Sequence, residues 1–229
     1  MRSQFAVSVV VLCGLLGTTA GCNSGRPLGV SGEVVSRESN PWFGAASSGG
    51  EEQLKAANAS TANPDERESR DFYTPMHIAA SAGHEKVVRA LIAKKADVNV
   101  VDEDRRTPLM LACHKSRTGV AMLLTSSAAK QDAVDRQKQT ALMFAAKNGL
   151  VEVVKAMVAA RAPLDAQRSD GFTALHIAAR EGHIEVARSL KAAGANVTIS
   201  DGRGRTAAGI ASASGHTEIA QLLGGAGRP

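Results

Sequence analysis

Aromatic residues are scarce in this 229-residue chain, where Phe, Trp and Tyr together make up 3% of the positions. Proteins that bind single-stranded nucleic acid stack the bases on aromatic side chains, and sugar-binding proteins use the same groups. The sequence shows no platform of this kind. We therefore expect no nucleic-acid ligand, and the same scarcity counts against a glycan.

Cysteine is also rare, with only Cys13, Cys22 and Cys113 in the chain. Cys13 lies in an N-terminal segment that we expect to be removed, and Cys22 has the separate role proposed below. Only Cys113 then remains, so no intramolecular disulfide is expected. Cys113 follows an alanine inside an apolar run, which predicts a small buried side chain rather than a nucleophile or a redox switch.

No catalytic, metal-binding or cofactor-binding motif is visible. The chain has no Gly-x-Ser-x-Gly elbow, and the glycine-rich run Gly202–Arg205 lacks the preceding buried strand of a phosphate loop. Five of the six histidines recur at two positions of a repeat, which is typical of structural hydrogen bonds. The sixth, His114, has no cysteine or carboxylate at metal-ligand spacing. We therefore predict that the chain is not an enzyme and uses no metal or cofactor.

What the chain does contain is a repeat of 33 residues. A threonine marks its five copies: Thr74, Thr107, Thr140, Thr173 and Thr206. Proline or alanine follows each threonine, and the copy at 171–179 continues into the apolar run Leu-His-Ile-Ala-Ala. Threonine is a good N-cap, and the next residue suits the first helical position. This period predicts a solenoid whose units bury their apolar faces against their neighbours.

Each repeat predicts two antiparallel helices. The first ends near a glycine nine residues past the threonine, as at Gly83, Gly149, Gly182 and Gly215. The second has a glutamate in its first turn, where the helix dipole favours a negative charge: Glu152, Glu185 and Glu218. The second repeat departs from this pattern, with Ser116, Gly119 and the run Ala128–Gln131 at the glycine, acidic and turn positions. We therefore expect it to be the weakest unit.

These residues resemble the ankyrin repeat, which has the same period and a Thr-Pro-Leu-His-x-Ala signature. The resemblance covers about residues 71–223, with the fifth copy cut short. It implies an all-α ankyrin-repeat solenoid of five helix-turn-helix repeats with short hairpin fingers, starting near residues 74, 107, 140, 173 and 206. It also implies a protein–protein interaction module, which we expect to act as a monomer.

The N-terminus has the pattern of an export signal. A basic Met1-Arg2 precedes an apolar run from Phe5 to Leu16, followed by small residues. This run is too short for a comfortable transmembrane helix, which favours cleavage. The run Thr19–Cys22 resembles a bacterial lipobox, in which Cys22 becomes the lipidated N-terminus, although Thr19 stands where leucine is usual. Ordinary cleavage after Ala20 or Gly21, which would give a soluble secreted protein, is the alternative.

Residues 23–70 are rich in Ser, Gly, Asn, Ala and Glu, with scattered prolines. This composition predicts a flexible tether with ends about 35 to 40 Å apart. In the alternative, Glu51–Ala57 forms a helical turn or two and Trp42-Phe43 docks on the first repeat. The predicted parts are a signal peptide at 1–21, a tether at 22–70 and an ankyrin repeat domain at 71–229.

The repeat region, residues 71–229, carries a net charge of +6. The resemblance implies that partners meet the finger tips and the exposed positions of the first helices. We call the residues at those positions the predicted binding face: Arg105, Arg106, His114, Lys115, Arg136, Lys138, Gln139, Lys147, Phe172, Arg180, Arg203 and Arg205. Most are cationic, which favours an acidic surface as partner and fast, salt-sensitive association. A basic solvated face that keeps a small repeat protein soluble is the alternative.

The sequence therefore predicts a non-catalytic protein-binding module in the bacterial cell envelope, on the periplasmic side and anchored to the membrane through Cys22. Its partner is another protein with an acidic or polar surface, bound through the concave face and the finger tips. A binder of an anionic cell-envelope polymer is the main alternative. A small enzyme with an unrecognised type of site is the third hypothesis.

Overall fold

The computed structural model describes residues 39–68 and 72–224. The predicted signal peptide, Cys22 and the start of the predicted tether lie outside these residues. The described chain is all-α, apart from an isolated bridge between Ser200 and Thr206. Its twelve helices are α1 Pro41–Ser48, α2 Glu51–Ala59, α3 Pro75–Ala82, α4 Glu85–Ala93, α5 Pro108–His114, α6 Thr118–Ser126, α7 Ala141–Lys147, α8 Val151–Ala159, α9 Ala174–Glu181, α10 Ile184–Ala192, α11 Ala207–Ala213 and α12 Thr217–Leu222.

The helices form a stack of pairs, which confirms the predicted all-α solenoid. Each of the five marker threonines directly precedes the first helix of a pair, from α3 to α11. First helices pack on first helices, as α3 on α5 and α5 on α7, and second helices pack on second helices, as α6 on α8. One continuous core runs through these described pairs.

Close packing explains the alanine that recurs in the middle of every first helix. The five residues are fully buried: Ala79, Ala112, Ala145, Ala178 and Ala211. The threonines cap these helices, as where Thr107 Oγ1 accepts a hydrogen bond of 3.3 Å from Met110 N.

Cys113, one position after Ala112, is fully buried, and burial raises the pKa of its thiol. An inert small side chain at this position is what the sequence predicts.

An additional helix pair precedes the five predicted repeats, and here the structure differs from the flexible tether expected over residues 22–70. Asn40 caps α1 by accepting a hydrogen bond from Trp42 N at 2.9 Å. Trp42 and Phe43 are 1% and 2% exposed, and α1 packs against α3. Of the two readings left open, docking of the aromatic pair is the one that the structure shows.

Hydrogen bonds also join this extra pair to the first repeat. Lys94 Nζ donates to Asn58 O at 2.9 Å, Asp97 N donates to Asp65 Oδ1 at 2.9 Å, and Lys86 forms an ion pair with Glu51. The small residues that suggest a linker are instead the residues that close helix packing needs. The stack therefore begins at residue 40 rather than at residue 71.

The part of the chain that the structure describes contains no helix with both the length and the apolar character needed to cross a membrane.

Candidate protein-binding face

The fingers that connect successive repeats are built on buried aspartates. Asp102, Asp135 and Asp201 lie at the same repeat position and are at most 6% exposed. Asp201 Oδ1 accepts hydrogen bonds from Arg203 N at 2.9 Å and Arg205 N at 2.8 Å. Burial alone would raise the pKa of Asp201, but these bonds and that from the Arg205 guanidinium outweigh it and lower the pKa to about 2. The finger at Asp201 is therefore a tight turn around an ionised carboxylate.

Backbone hydrogen bonds join each finger to the next. The three bonds are Arg136 N to Asp104 O at 3.1 Å, Ser169 N to Gln137 O at 3.1 Å and Gly202 N to Asp170 O at 2.9 Å. At the last junction Gly171 has a left-handed backbone with a φ of 83°, and a Cβ there would lie 2.6 Å from Gly202 N. This close approach requires glycine and fixes the spacing of the two fingers.

A row of basic side chains crosses three successive first helices. His114, Lys147 and Arg180 hold the same repeat position on α5, α7 and α9. His114 and Lys147 are exposed, Arg180 is half-buried, and the exposed Lys115 lies beside the row. No ion pair involves Lys115 or Lys147 within residues 39–68 and 72–224. The structure thus brings four of the predicted residues together on one face.

His114 is the histidine of the predicted binding face, and its surroundings disfavour its charged form. Its ring lies edge-on to that of Phe144, with 5.5 Å between the centroids. Burial, followed by the nearby charges of Lys115, Lys147 and Arg106, lowers its pKa. A neutral imidazole is therefore favoured at neutral pH, and the permanent positive charge of the row comes from the lysines and Arg180.

Four of the predicted arginines are not free cations, because acidic residues of the same face pair with them. Arg106 Nε lies 2.8 Å from Asp102, Arg136 lies 3.8 Å from Glu103 and 3.9 Å from Asp104, Arg180 lies 2.7 Å from Glu181, and Arg205 lies 2.8 Å from Asp201. These acidic residues were not predicted as part of the binding face. The spacing of four residues in Asp102–Arg106 and Asp201–Arg205 was the signal that would have found two of the pairs.

The remaining predicted residues differ in accessibility. Arg105, Lys138 and Arg203 are exposed at the finger tips, and within the described part of the chain their side chains form no ion pair. Gln139 is half-buried, and its backbone N–H donates to Asp135 Oδ1 at 2.7 Å. The exposed tips are therefore cationic, whereas Gln139 mainly shapes its finger.

Phe172, which the sequence placed on the contact surface, is instead 6% exposed. Three guanidiniums cover its ring, with 4.7 Å from Arg168, 5.3 Å from Arg180 and 6.0 Å from Arg205 to the ring centroid. The face of an aromatic ring attracts cations. Phe172 therefore supports the arginines from beneath and offers little surface of its own.

The recurring histidines have the structural role that their periodicity predicts. Thr173 N donates to His176 Nδ1 at 3.3 Å, so Nδ1 is the acceptor and Nε2 carries the proton that meets Arg205 O at 3.3 Å. At the second histidine position, His183 Nε2 lies 3.0 Å from Lys147 O. Both links connect neighbouring repeats. Among the described residues, no group of three or more His, Cys, Asp or Glu side chains is arranged to hold a metal ion.

Comparison with known proteins agrees with this architecture. A family model for ankyrin repeats, built on three copies, matches residues 42–135 and 128–201. These matches span more than half of the chain and include α2 and all of α1 except Pro41. A search of curated proteins found no match. Ankyrin repeats mediate protein–protein binding, and stacked repeats of this kind present extended binding surfaces. The chain belongs to the ankyrin-repeat family.

Proposed function

We propose that this chain is a non-catalytic module that binds an acidic segment of another protein along its concave face and finger tips. The observation that carries the proposal is the basic row of His114, Lys147 and Arg180, flanked by Lys115. Lys115 and Lys147 have no acidic partner of their own in the described chain, whereas most nearby arginines are held by carboxylates. The two lysines, like the exposed cations at the finger tips, therefore remain available to a partner.

Complementary charge on a protein face mainly raises the rate of association and selects the partner. Arg106, Arg180 and Arg205 add direction, because hydrogen bonds to neighbouring carboxylates already hold their guanidiniums, which then need little further ordering on binding. A partner with carboxylates spaced along an extended segment would meet the row and the finger tips together. The described residues suggest no reaction, so binding alone is proposed.

We further propose that the chain is exported and held in a bacterial cell envelope, on the periplasmic side, by a lipid on Cys22. The support is the sequence pattern of residues 1–22, with a basic start, a short apolar run and small residues before the cysteine. The module is proposed to act as a monomer, and no nucleic acid is proposed as a partner. A soluble secreted form is the alternative for localisation.

Charge reversal on the row tests the binding proposal. In capture from a cell-envelope extract with the full chain, Lys115→Glu with Lys147→Glu should reduce recovery of a discrete acidic protein by about tenfold at low salt. High salt should reduce wild-type capture as well, since exposed charges are screened. The matched control is Arg89→Glu with Lys130→Glu, two exposed cations away from the row, which should leave recovery within about twofold.

Equal recovery by the double variant and the wild-type chain would place the partner elsewhere on the stack. Retention of bulk anionic polymer in place of a discrete protein would favour the alternative function, a binder of an anionic cell-envelope polymer. In both cases the helical circular dichroism of the variants must match that of the wild type, because the mutated side chains are exposed.

A further inference from the structure

A cleft lies between the finger before α9 (residues 168–172) and the finger before α11 (residues 201–205). It has a volume of about 500 Å³, and its lining residues are Asp170, Phe172, Arg180, Asp201, Gly202, Arg203 and Arg205. Phe172 forms an apolar base under three guanidiniums. The cleft therefore combines a rigid aromatic support with clustered N–H donors.

We infer that this cleft is a carboxylate-binding pocket that receives an Asp or Glu side chain from an acidic segment of the partner. The inference rests on the proposed function and narrows it to one site and one chemical group. The pocket is distinct from the basic row, although Arg180 belongs to both.

The two carboxylates in the cleft, those of Asp170 and Asp201, each pair with one arginine. They therefore do not neutralise all of the arginines around the cleft. Asp170 forms a bidentate pair with Arg168, at 2.6 Å and 2.5 Å, and accepts a bond from Phe172 N at 3.2 Å. The Asp201 side chain is 1% exposed and binds Arg205 and the turn of its own finger. Neither carboxylate reaches the Arg203 guanidinium.

The charge count indicates a monoanion as the ligand. Four arginines surround the cleft (Arg168, Arg180, Arg203 and Arg205), and three carboxylates pair with them (Asp170, Glu181 and Asp201). One positive charge is left, and Arg203 carries it, because its side chain makes no hydrogen bond or ion pair within the described residues. A single carboxylate balances this charge, whereas a phosphate dianion would exceed it.

Donors for this carboxylate are available on three guanidiniums. Arginine has five N–H donors. Arg180 uses Nε and Nη2 on Glu181, at 2.9 Å and 2.7 Å, and Arg205 uses the same two nitrogens on Asp201. Each therefore retains N–H groups, and Arg203 retains all of those on its side chain. Charge-assisted bonds of this type are the stronger ones in proteins.

The pocket is also preorganised. The bond from Gly202 N to Asp170 O joins its two fingers. Gly171 lies so close to Gly202 that no side chain would fit at residue 171. The ring of Phe172 limits the movement of the arginines above it. Binding would therefore order mainly the exposed Arg203 side chain, which limits its entropic cost.

Peptide binding to the full-length chain tests the inference. The probe is a fluorescein-labelled octaglutamate with blocked ends, and the Kd is measured by fluorescence anisotropy. Arg203→Gln should raise the Kd by about tenfold through loss of the unpaired guanidinium. The matched control is Arg89→Gln on α4, which removes an exposed arginine that forms no ion pair within the described residues and lies away from the cleft. It should change the Kd by less than about twofold.

Two further peptides separate the sources of the carboxylate. Octaglutamine with blocked ends should not bind. Octaglutamine with a free C-terminus carries one terminal carboxylate. If this peptide binds as tightly as octaglutamate does, the pocket recognises a chain terminus instead of a side chain. Octaglutamine with one phosphoserine tests the dianion and should bind more weakly than octaglutamate.

The outcomes distinguish this inference from the proposed function. If Lys147→Gln weakens octaglutamate binding while Arg203→Gln acts like the control, the pocket is wrong and the basic row remains the binding site. If Arg203→Gln weakens binding with no change in the thermal midpoint, the pocket is supported. If the wild-type chain binds none of the peptides, the pocket and the acidic partner both fail.

Discussion

His77 shows at the scale of one residue how a buried polar side chain joins two repeats. Its Nδ1 accepts a bond from Thr74 N at 3.2 Å, and its Nε2 meets Arg106 O in the next finger at 3.2 Å. Burial lowers the pKa of His77 to about 4, although Arg106 O and Asp102 favour the charged form. Only the neutral imidazole fits this arrangement, because Nδ1 must remain an acceptor.

This lowered pKa predicts a loss of stability in acid. The unfolded chain takes up a proton at His77 below a pH of about 6.5, whereas the folded chain does so only near pH 4. The free energy of unfolding therefore stays constant above pH 6.5 on this account and falls as the pH drops towards 4, by about 3 kcal/mol in total. His176, whose pKa burial also lowers, adds to the fall.

The matched variant is His77→Met, since Met110 and Met143 hold this position in the second and third repeats. Urea unfolding at neutral pH and at a pH near 4.5 should show a smaller acid-induced loss for the variant, by about 2 to 3 kcal/mol. Carboxylates that titrate in the same range affect both proteins alike. Identical pH profiles would mean that His77 does not titrate as its burial requires.

Single residues also show where the sequence was sufficient and where it was not. The structural role of His77 and the burial of Cys113 followed from periodicity, because a repeated position has a repeated environment. The ion pairs of Arg136 and the burial of Phe172 did not follow. They depend on side chains from neighbouring repeats, such as Asp104 and Arg205, that the one-repeat pattern does not place.

The additional pair α1–α2 shows the same limit at the scale of an element. Asn40-Pro41 stands 34 residues before Thr74-Pro75, and Ala45-Ala46 matches Ala79-Ala80. The interval is one residue longer than the regular period, and asparagine replaces threonine as the cap. A search for the fixed spacing and for threonine therefore missed a unit whose capping chemistry is equivalent.

The second repeat remains the element that we expect to open first. Ser116 adopts a left-handed φ of 56°, which costs a non-glycine residue about 1 kcal/mol. The helix α6 has no acidic residue in its first turn and contains Gly119, which adds about 1 kcal/mol of helix-propensity cost. The turn at Ala128 is not special to this repeat, because Lys95 and Arg161 are also left-handed there.

A compensating contact limits this weakness. In the fourth and fifth repeats, His183 and His216 bond the end of the first helix of the preceding repeat. Leu150 holds the same position in the third repeat, so no histidine bonds the end of α5 in the second repeat. The Asn148 amide replaces it by donating to Cys113 O at 2.8 Å and His114 O at 3.1 Å. The second repeat therefore stays joined to the third at its first helix, and the defect is concentrated in α6.

Hydrogen exchange tests this expectation. Amides of residues 118–131 should exchange faster than those of residues 151–164, since local openings follow local stability. Ser116→Gly should slow exchange in the first range and stabilise the chain by about 1 kcal/mol, because glycine adopts this φ freely. Equal or slower exchange in residues 118–131 of the wild type would show that tertiary packing overrides the local defects.

At the scale of the whole molecule, the unpaired positive charges described above lie on the same side of each repeat. The basic row and the cationic finger tips lie on first helices and on fingers, while charges on the second helices are often paired, as in Lys155 with Glu152 and Arg188 with Glu185. With the proposed cleavage before Cys22, a stack that starts at residue 40 would leave residues 22–39 between the anchor and the stack. Those 18 residues could span at most about 65 Å.

This short span makes the proposed anchor at Cys22 decisive for where the module acts. Each buried methylene of an acyl chain contributes about 0.8 kcal/mol, so a multiply acylated cysteine would hold the chain at the membrane. We expect Cys22→Ala to move the chain from the membrane and detergent fraction to the soluble fraction of the envelope. The matched control is Cys113→Ala, which also removes one thiol and introduces the residue that Ala80, Ala146 and Ala179 provide at the same buried position. Cys113→Ala should remain membrane-bound, since its side chain is fully enclosed in the stack. A Cys22→Ala variant that partitions like this control would exclude the lipid anchor, and the basic face would then have to find its partner from solution.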